Sequence, residues 1–248
     1  MRENMKKTFA AVVALVVLTA TAAAASASGA AITTGAGYKS MVEGLCAAFR
    51  AQGGEIEEMY GGHIGQMLVQ IAQGSGVNIV ISDKGTLDAA PGDVRFERYE
   101  ALGETPLVLA WRKGVTIERP EDLEGSAVGS VCYPDAKSAI YGRAAVKFLE
   151  TSGIGPKITG KLSEVSSVPQ VFAYLLAGEM DAGFVNRVMI VNGGDKIGGS
   201  MEITEGYDAL HMVAAVVEGH ASDPQVAKFL AFLASDEGRA ILKKNGVW

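Results

Sequence analysis

Three short segments of the 248-residue sequence combine small residues, hydroxyls and the onset of a helical pattern. Thr33-Thr34-Gly35-Ala36-Gly37 runs into the stripe Met41, Leu45, Ala48 and Phe49. Tyr60-Gly61-Gly62-His63-Ile64-Gly65 runs into Ile64, Met67, Leu68 and Ile71. Ser166-Ser167-Val168-Pro169 runs into Val168, Val171, Phe172 and Leu175, with Pro169 at the first helical position. A helix start presents backbone N–H groups without intrahelical acceptors and a partial positive charge, so each segment suits an anion. The hydroxyls of Thr33, Thr34, Ser166 and Ser167 add donors.

This is chemistry of capture, not of bond breaking. The sequence holds no G-x-S-x-G elbow, no H-E-x-x-H and no Walker A run, and no nucleophile stands at a recognisable spacing from a base. Of the histidines, His63 lies between glycines at a helix start and is the one positioned to touch a ligand; His211 reads as structural within an apolar strand, and His220 as solvent-exposed in a turn. Cys46 reads as core on the apolar side of the first helix. Cys132 ends a strand before Tyr133-Pro134, and two readings stay open for it. It is a small buried hydrophobe, or it faces the same site and joins His63 in holding a soft metal or a small organic ligand, as in a carrier or sensor.

Strands and helices alternate along the chain. Val77–Ile81 (VNIVI) is β-branched and nearly all apolar, as in a strand covered on both faces. Ala30–Thr34, Ile56–Tyr60, Leu107–Trp111, Ala127–Cys132, Ala182–Val185 and Leu210–Val217 are further strands. Ile140, Ala144 and Phe148 mark a helix, Asp223-Pro224 an N-cap and first helical residue, and Ser235 the cap of the last helix. The alternation predicts an α/β fold with mostly parallel sheets flanked by helices, in two lobes. Ligands of such sheets sit beyond the carboxyl ends of the strands, where the three segments lie. The chain is expected to cross between lobes near Gly103–Leu107 and near Tyr207–Val213.

Composition narrows the function. A net charge of −6 argues against a nucleic-acid binder. Two cysteines are too few for a disulfide scaffold or a Cys-rich zinc site, and Cys46 and Cys132 would fall in different lobes, against a disulfide between them. Arg2, Lys6 and Lys7 precede an apolar, Ala-rich run from Phe9 to Ala25, followed by Ala25-Ser26-Ala27. These are the basic, apolar and small-residue regions of a secretory signal peptide. The run approaches the length of a membrane span, but its Ala- and Thr-rich end favours cleavage over anchoring. Residues 1–27 are therefore expected to be removed, leaving a protein outside the cytoplasm.

From residue 30 to the end, the sequence resembles the periplasmic molybdate-binding proteins of ABC importers. The resemblance rests on Gly62-His63-Ile64-Gly65 followed by MLVQIAQG and NIVIS, and on Lys137-Ser138-Ala139-Ile140-Tyr141-Gly142. It rests further on Val168-Pro169-Gln170 through GEMDAGFV, and on the C-terminal FLAFLASDEGRAILKKNGV. It implies a Venus-flytrap fold, with a first lobe from residues 28–105 and 208–248 and a second from 106–207. The lobes would close on a small oxyanion, molybdate- or tungstate-like, held by hydroxyls and N–H groups without cofactor. It implies a periplasmic monomer that hands its ligand to a cognate inner-membrane ABC permease, with no enzymatic activity. Carried over by position, the first-loop contact falls near Ala36 or Gly37, with Thr33 or Thr34 supplying the hydroxyl. The second-loop pair falls on His63 and Ile64, backbone contacts on Ser138 and Val168, and the family's tyrosine on Asn186.

Overall fold

The computed structural model describes residues 29–248, so the expected export segment, residues 1–27, lies outside the described residues. Among those residues no helix is long and apolar enough to cross a membrane. In chain order the strands are β1 (Ala30–Thr34), β2 (Ile56–Glu58), β3 (Ile79–Asp83), β4 (Phe96–Thr105), β5 (Leu107–Trp111), β6 (Val131–Pro134), β7 (Leu162–Val165), β8 (Ala182–Asn186), β9 (Gly199–Ile203) and β10 (Leu210–Val217). The helices are α1 (Lys39–Ala51), α2 (Ile64–Ala72), α3 (Lys84–Asp88), α4 (Ile140–Thr151), α5 (Val168–Ala177), α6 (Arg187–Gly193), α7 (Pro224–Ala234) and α8 (Asp236–Lys244).

The strands form two five-stranded sheets of the same plan, β2-β1-β3-β10-β4 and β7-β6-β8-β5-β9. Pairing is parallel through β2, β1 and β3 and through β7, β6 and β8, then antiparallel on both sides of β10 and of β5. Each sheet therefore holds a single reversed strand, and each reversed strand is the first one after the chain changes sheet. The chain leaves the first sheet at Pro106, between β4 and β5, and returns between Ile203 and Leu210.

Strand periodicity explains the layering. Ile79 and Ile81 on β3, with Met212, Ala214 and Val216 on β10, pack into the larger core with Met41, Leu45 and Phe49 of α1. Their alternates Val80, Val213 and Ala215 pack with Ile64, Met67, Leu68 and Ile71 of α2. Both faces of the sheet are thus covered, as the unbroken apolar run at Ile79 requires. Phe49 meets Phe229 edge-on at 5.1 Å between ring centres, fastening α7 to α1. The second lobe repeats the pattern with Ile140, Ala144 and Phe148 on α4 and Val171, Phe172 and Leu175 on α5.

Caps follow the sequence closely. Asp223 caps α7 through the Gln225 N–H, and Ser235 caps α8 through the Gly238 N–H. Ser167 caps α5, so Val168 is its first residue and Pro169 its second, one place later than the spacing predicts. The sixth strand also lies later than predicted, at Val131–Pro134 rather than Ala127–Cys132.

Candidate functional site

Four helix starts converge on one small cavity of about 50 Å³ between the lobes. Gly35, Ala36 and Gly37 come from the loop after β1, where Ala36–Tyr38 forms a short 3-10 turn that leads into α1. His63 and Ile64 open α2. From the second lobe, Ser138, Ala139, Ile140 and Tyr141 lie at the start of α4, and Ser166, Ser167 and Val168 at the start of α5. The four helices occupy equivalent places in the two lobes, following β1, β2, β6 and β7, at the carboxyl ends of those strands. Their first-turn N–H groups have no intrahelical acceptors and are the polar groups such a site offers. Among the residues that line the cavity there is no Lys, Arg, Asp or Glu.

Two of the starts are arranged by their own side chains. His63 is the N-cap of α2: its Nδ1 accepts the Gln66 N–H at 3.4 Å. With Nδ1 occupied as an acceptor, the proton of the neutral ring sits on Nε2, which makes His63 a donor. Coordination of a metal through Nε2 would need the proton on Nδ1, directly facing the Gln66 N–H. At α5 the Ser167 hydroxyl oxygen accepts the Gln170 N–H at 3.4 Å, while Gln170 Oε1 accepts from the N–H and hydroxyl of Ser166 at 2.8 and 2.7 Å. Ser167 keeps its hydroxyl proton available for a ligand.

The structure brings together Ala36, His63, Ile64, Ser138 and Val168 of the residues singled out from sequence, and places Thr33, Thr34 and Asn186 outside the lining. Thr33 and Thr34 lie inside β1 and do not line the cavity. The Thr34 hydroxyl donates to the Ile81 carbonyl at 2.7 Å, and the fully buried Thr33 hydroxyl has no partner. Asn186 is buried at the end of β8, with Oδ1 accepting the Met189 N–H at 3.1 Å as the cap of α6 and Nδ2 donating to the Gly37 carbonyl at 2.9 Å. It joins the lobes beside the cavity and does not line it. Ser138 reaches the cavity, but its N–H and hydroxyl both donate to Asp135 Oδ1, at 2.7 and 2.6 Å. These two bonds hold the Asp135 carboxyl below the usual range. The unengaged N–H groups of that helix start belong to Ile140 and Tyr141 instead.

The pairing of His63 with Cys132 also fails. Cys132 is 0% exposed in β6 and its thiol points to the Ala182 carbonyl at 3.7 Å. Burial pushes that thiol up to about 12, so it is neither a ready ligand nor a nucleophile. Among the described residues no group of three His, Cys, Asp or Glu side chains could hold a metal ion. His211, expected to be structural within its strand, is exposed and sits 3.2 Å from Glu104 across the β10–β4 pair.

Sequence reasoning did not single out Tyr38 and Tyr141 as site residues. Both line the cavity, each 2% exposed, with their hydroxyls 2.5 Å apart. The available signal was position: Tyr38 is the one large side chain directly after a Gly-Ala-Gly loop, and Tyr141 stands in the first turn of α4.

The chain is similar to known proteins in sequence and in fold. Over 194 residues, 75% of this chain and 74% of the relative, the sequence is 26% identical to the molybdate-binding protein ModA of Rhodobacter capsulatus. The fold superposes on the periplasmic molybdate-binding protein of Azotobacter vinelandii with a TM-score of 0.77 at 21% identity, covering 88% of this chain and 98% of that one. A tungstate ABC transporter structure from Geobacter sulfurreducens matches with a TM-score of 0.65 at 12% identity, over 86% of this chain and 97% of that one. The family model of the bacterial extracellular solute-binding proteins matches residues 30–247, and the chain belongs to that family.

Proposed function

We propose that this protein is the periplasmic substrate-binding component of an ABC importer, capturing a small oxyanion of the molybdate and tungstate class between its lobes. The observation that carries the reading is the meeting of four helix starts, two from each lobe, around a single cavity without charged side chains. Helix dipoles and N–H groups stabilise an anion there without a counter-cation. The names of the relatives point to the same ligand class. Ligand contacts are the first-turn N–H groups at Ala36, Ile64, Ile140 and Val168, with Nε2–H of His63 and the Ser167 hydroxyl. The first lobe comprises residues 28–105 and 208–248 and the second 106–207. The protein works as a monomer, is exported by cleavage after Ala27, and delivers its ligand to a cognate inner-membrane permease without catalysing a reaction.

The test is a thermal-shift panel of molybdate, tungstate, sulfate and phosphate, with a transition-metal series as comparison. Ligand at 100 times its dissociation constant adds about 2.7 kcal/mol of stability, which in a chain of this size raises the melting temperature by roughly 5–10 °C. At least one oxyanion is expected to give that shift. No shift with any oxyanion, beside a clear shift with a metal, would reverse the reading.

A further inference from the structure

We infer that the hydroxyls of Tyr38, Tyr141 and Thr105 form a chain that binds the captured oxyanion at its Tyr38 end and ties it to the crossing between lobes at its Thr105 end. The inference rests on the oxyanion reading of the same cleft. Tyr38 and Tyr141 hydroxyls are 2.5 Å apart, and those of Tyr141 and Thr105 are 3.1 Å apart. Three hydroxyls carry three protons, and the two bonds between them use two. The third proton belongs to one end of the chain. Without a ligand the chain can run in either direction. An anion in the cavity fixes one: Thr105 donates to Tyr141, Tyr141 to Tyr38, and Tyr38 to the anion.

The placement of the three residues gives this chain a second consequence. Tyr38 precedes α1 in the first lobe, Tyr141 is the second residue of α4 in the second lobe, and Thr105 ends β4 beside the crossing at Pro106. The Tyr38–Tyr141 bond is therefore a bond between lobes. A charge accepting from its end polarises the whole chain and strengthens each member. Binding and closure then reinforce each other through groups of which only one touches the ligand. Burial raises both phenols far above neutrality, so they serve as neutral donors across the physiological range. Thr105 is 4% exposed and does not line the cavity, which makes it a positioning residue.

The experiment is calorimetric titration with molybdate of the wild type, Tyr38→Phe, Tyr141→Phe, the double variant, Thr105→Val and Thr105→Ser, with the ligand-free melting temperature of each as the folding control. Loss of a hydrogen bond to a charged ligand predicts that Tyr38→Phe weakens binding about 10- to 100-fold. Tyr141→Phe and Thr105→Val are expected to weaken it less. The double variant should match Tyr38→Phe alone, because the chain has already been cut from the ligand. Thr105→Ser keeps the hydroxyl and should bind like the wild type, an outcome that loss of packing alone would not produce. Should Tyr141→Phe fail to fold, Tyr38→Phe and the two Thr105 variants carry the test. A wild type that binds molybdate while Tyr38→Phe binds it equally well overturns this inference alone. If Tyr38→Phe weakens binding and Thr105→Val does not, the extension to the crossing is overturned. A wild type that binds no oxyanion of the panel overturns the reading of the cleft and this inference with it.

Discussion

At the scale of single residues, His63 has two separable jobs. It caps α2 through Nδ1, and in the proposed reading it offers Nε2–H to the ligand. Aspartate is a better N-cap than histidine and adds a negative charge at the positive end of a helix dipole, worth roughly 0.5–1 kcal/mol. His63→Asp should therefore raise the ligand-free melting temperature by a few degrees. The same carboxylate would face the bound anion, and like charges brought together cost several kcal/mol, so oxyanion affinity should fall at least about 100-fold. Calorimetry beside thermal denaturation checks both halves. Retained affinity would mean that His63 does not face the ligand, and a metal site would instead tolerate the carboxylate. His63, Ile64 and Val168 could be placed at helix starts from sequence because a cap and a helix start are written in neighbouring residues. Thr33, Thr34 and Asn186 lie outside the cavity lining, and for Thr34 and Asn186 the partner that takes the side chain lies far off in sequence. The Thr34 hydroxyl is taken by Ile81 and the Asn186 amide by Gly37, contacts that only the assembled fold creates.

At the scale of elements, the strands that escaped sequence reading share one property. β4, β7 and β9 are all edge strands. With one side of the ladder open they need no continuous apolar pattern, and β4 carries Arg98, Glu100 and Glu104 within ten residues. The central strands β3, β5, β8 and β10 are buried and apolar, and their outlines were plain. What holds one end of the second sheet is less visible in sequence. Asp181, just before β8, accepts from the Gly129 and Ser130 N–H groups at 2.7 and 3.1 Å, and pairs with Arg112 beyond β5 at 2.7 Å. It gathers the ends of β5, β6 and β8 onto one carboxylate. Burial alone would raise its pKa, but the Gly129 and Ser130 N–H groups and Arg112 together outweigh burial and hold it below the usual carboxylate range. A carboxyl depressed in the folded state contributes stability above its unfolded value, near 3.9, and loses that contribution as pH falls through the folded value. The urea midpoint of the wild type should fall as pH drops below about 4, the unfolded value. Asp181→Asn should begin lower at pH 5 and fall less steeply as pH drops. Parallel curves for the two proteins would show that Asp181 does not stabilise the fold through its charge.

At the scale of the whole molecule, the two lobes meet through side chains that a ligand can leave or restore. Asn186 Nδ2 donates to the Gly37 carbonyl at 2.9 Å, Asn192 Nδ2 to the Ser40 hydroxyl at 2.6 Å, and Arg143 lies 3.6 Å from Asp83. With the tyrosine pair these contacts flank a cavity of about 50 Å³. Polar contacts of this kind contribute about 1 kcal/mol each. Among the described residues the backbone joins the lobes at two places, Pro106 and residues 204–209, so a rotation of one sheet against the other needs dihedral changes in few residues. In the proposed reading, an anion bound by helix starts from both sides adds attraction between the lobes, since it contacts both at once only when they are closed. Solution scattering should therefore give a smaller radius of gyration with saturating molybdate than without it. Tyr38→Phe, at ligand concentrations that saturate it, should close to the same radius, because the chain of hydroxyls biases closure without defining its geometry. An unchanged profile for a wild type whose melting temperature rises with molybdate would mean that the ligand binds a structure already closed, and that entry proceeds without the lobes parting.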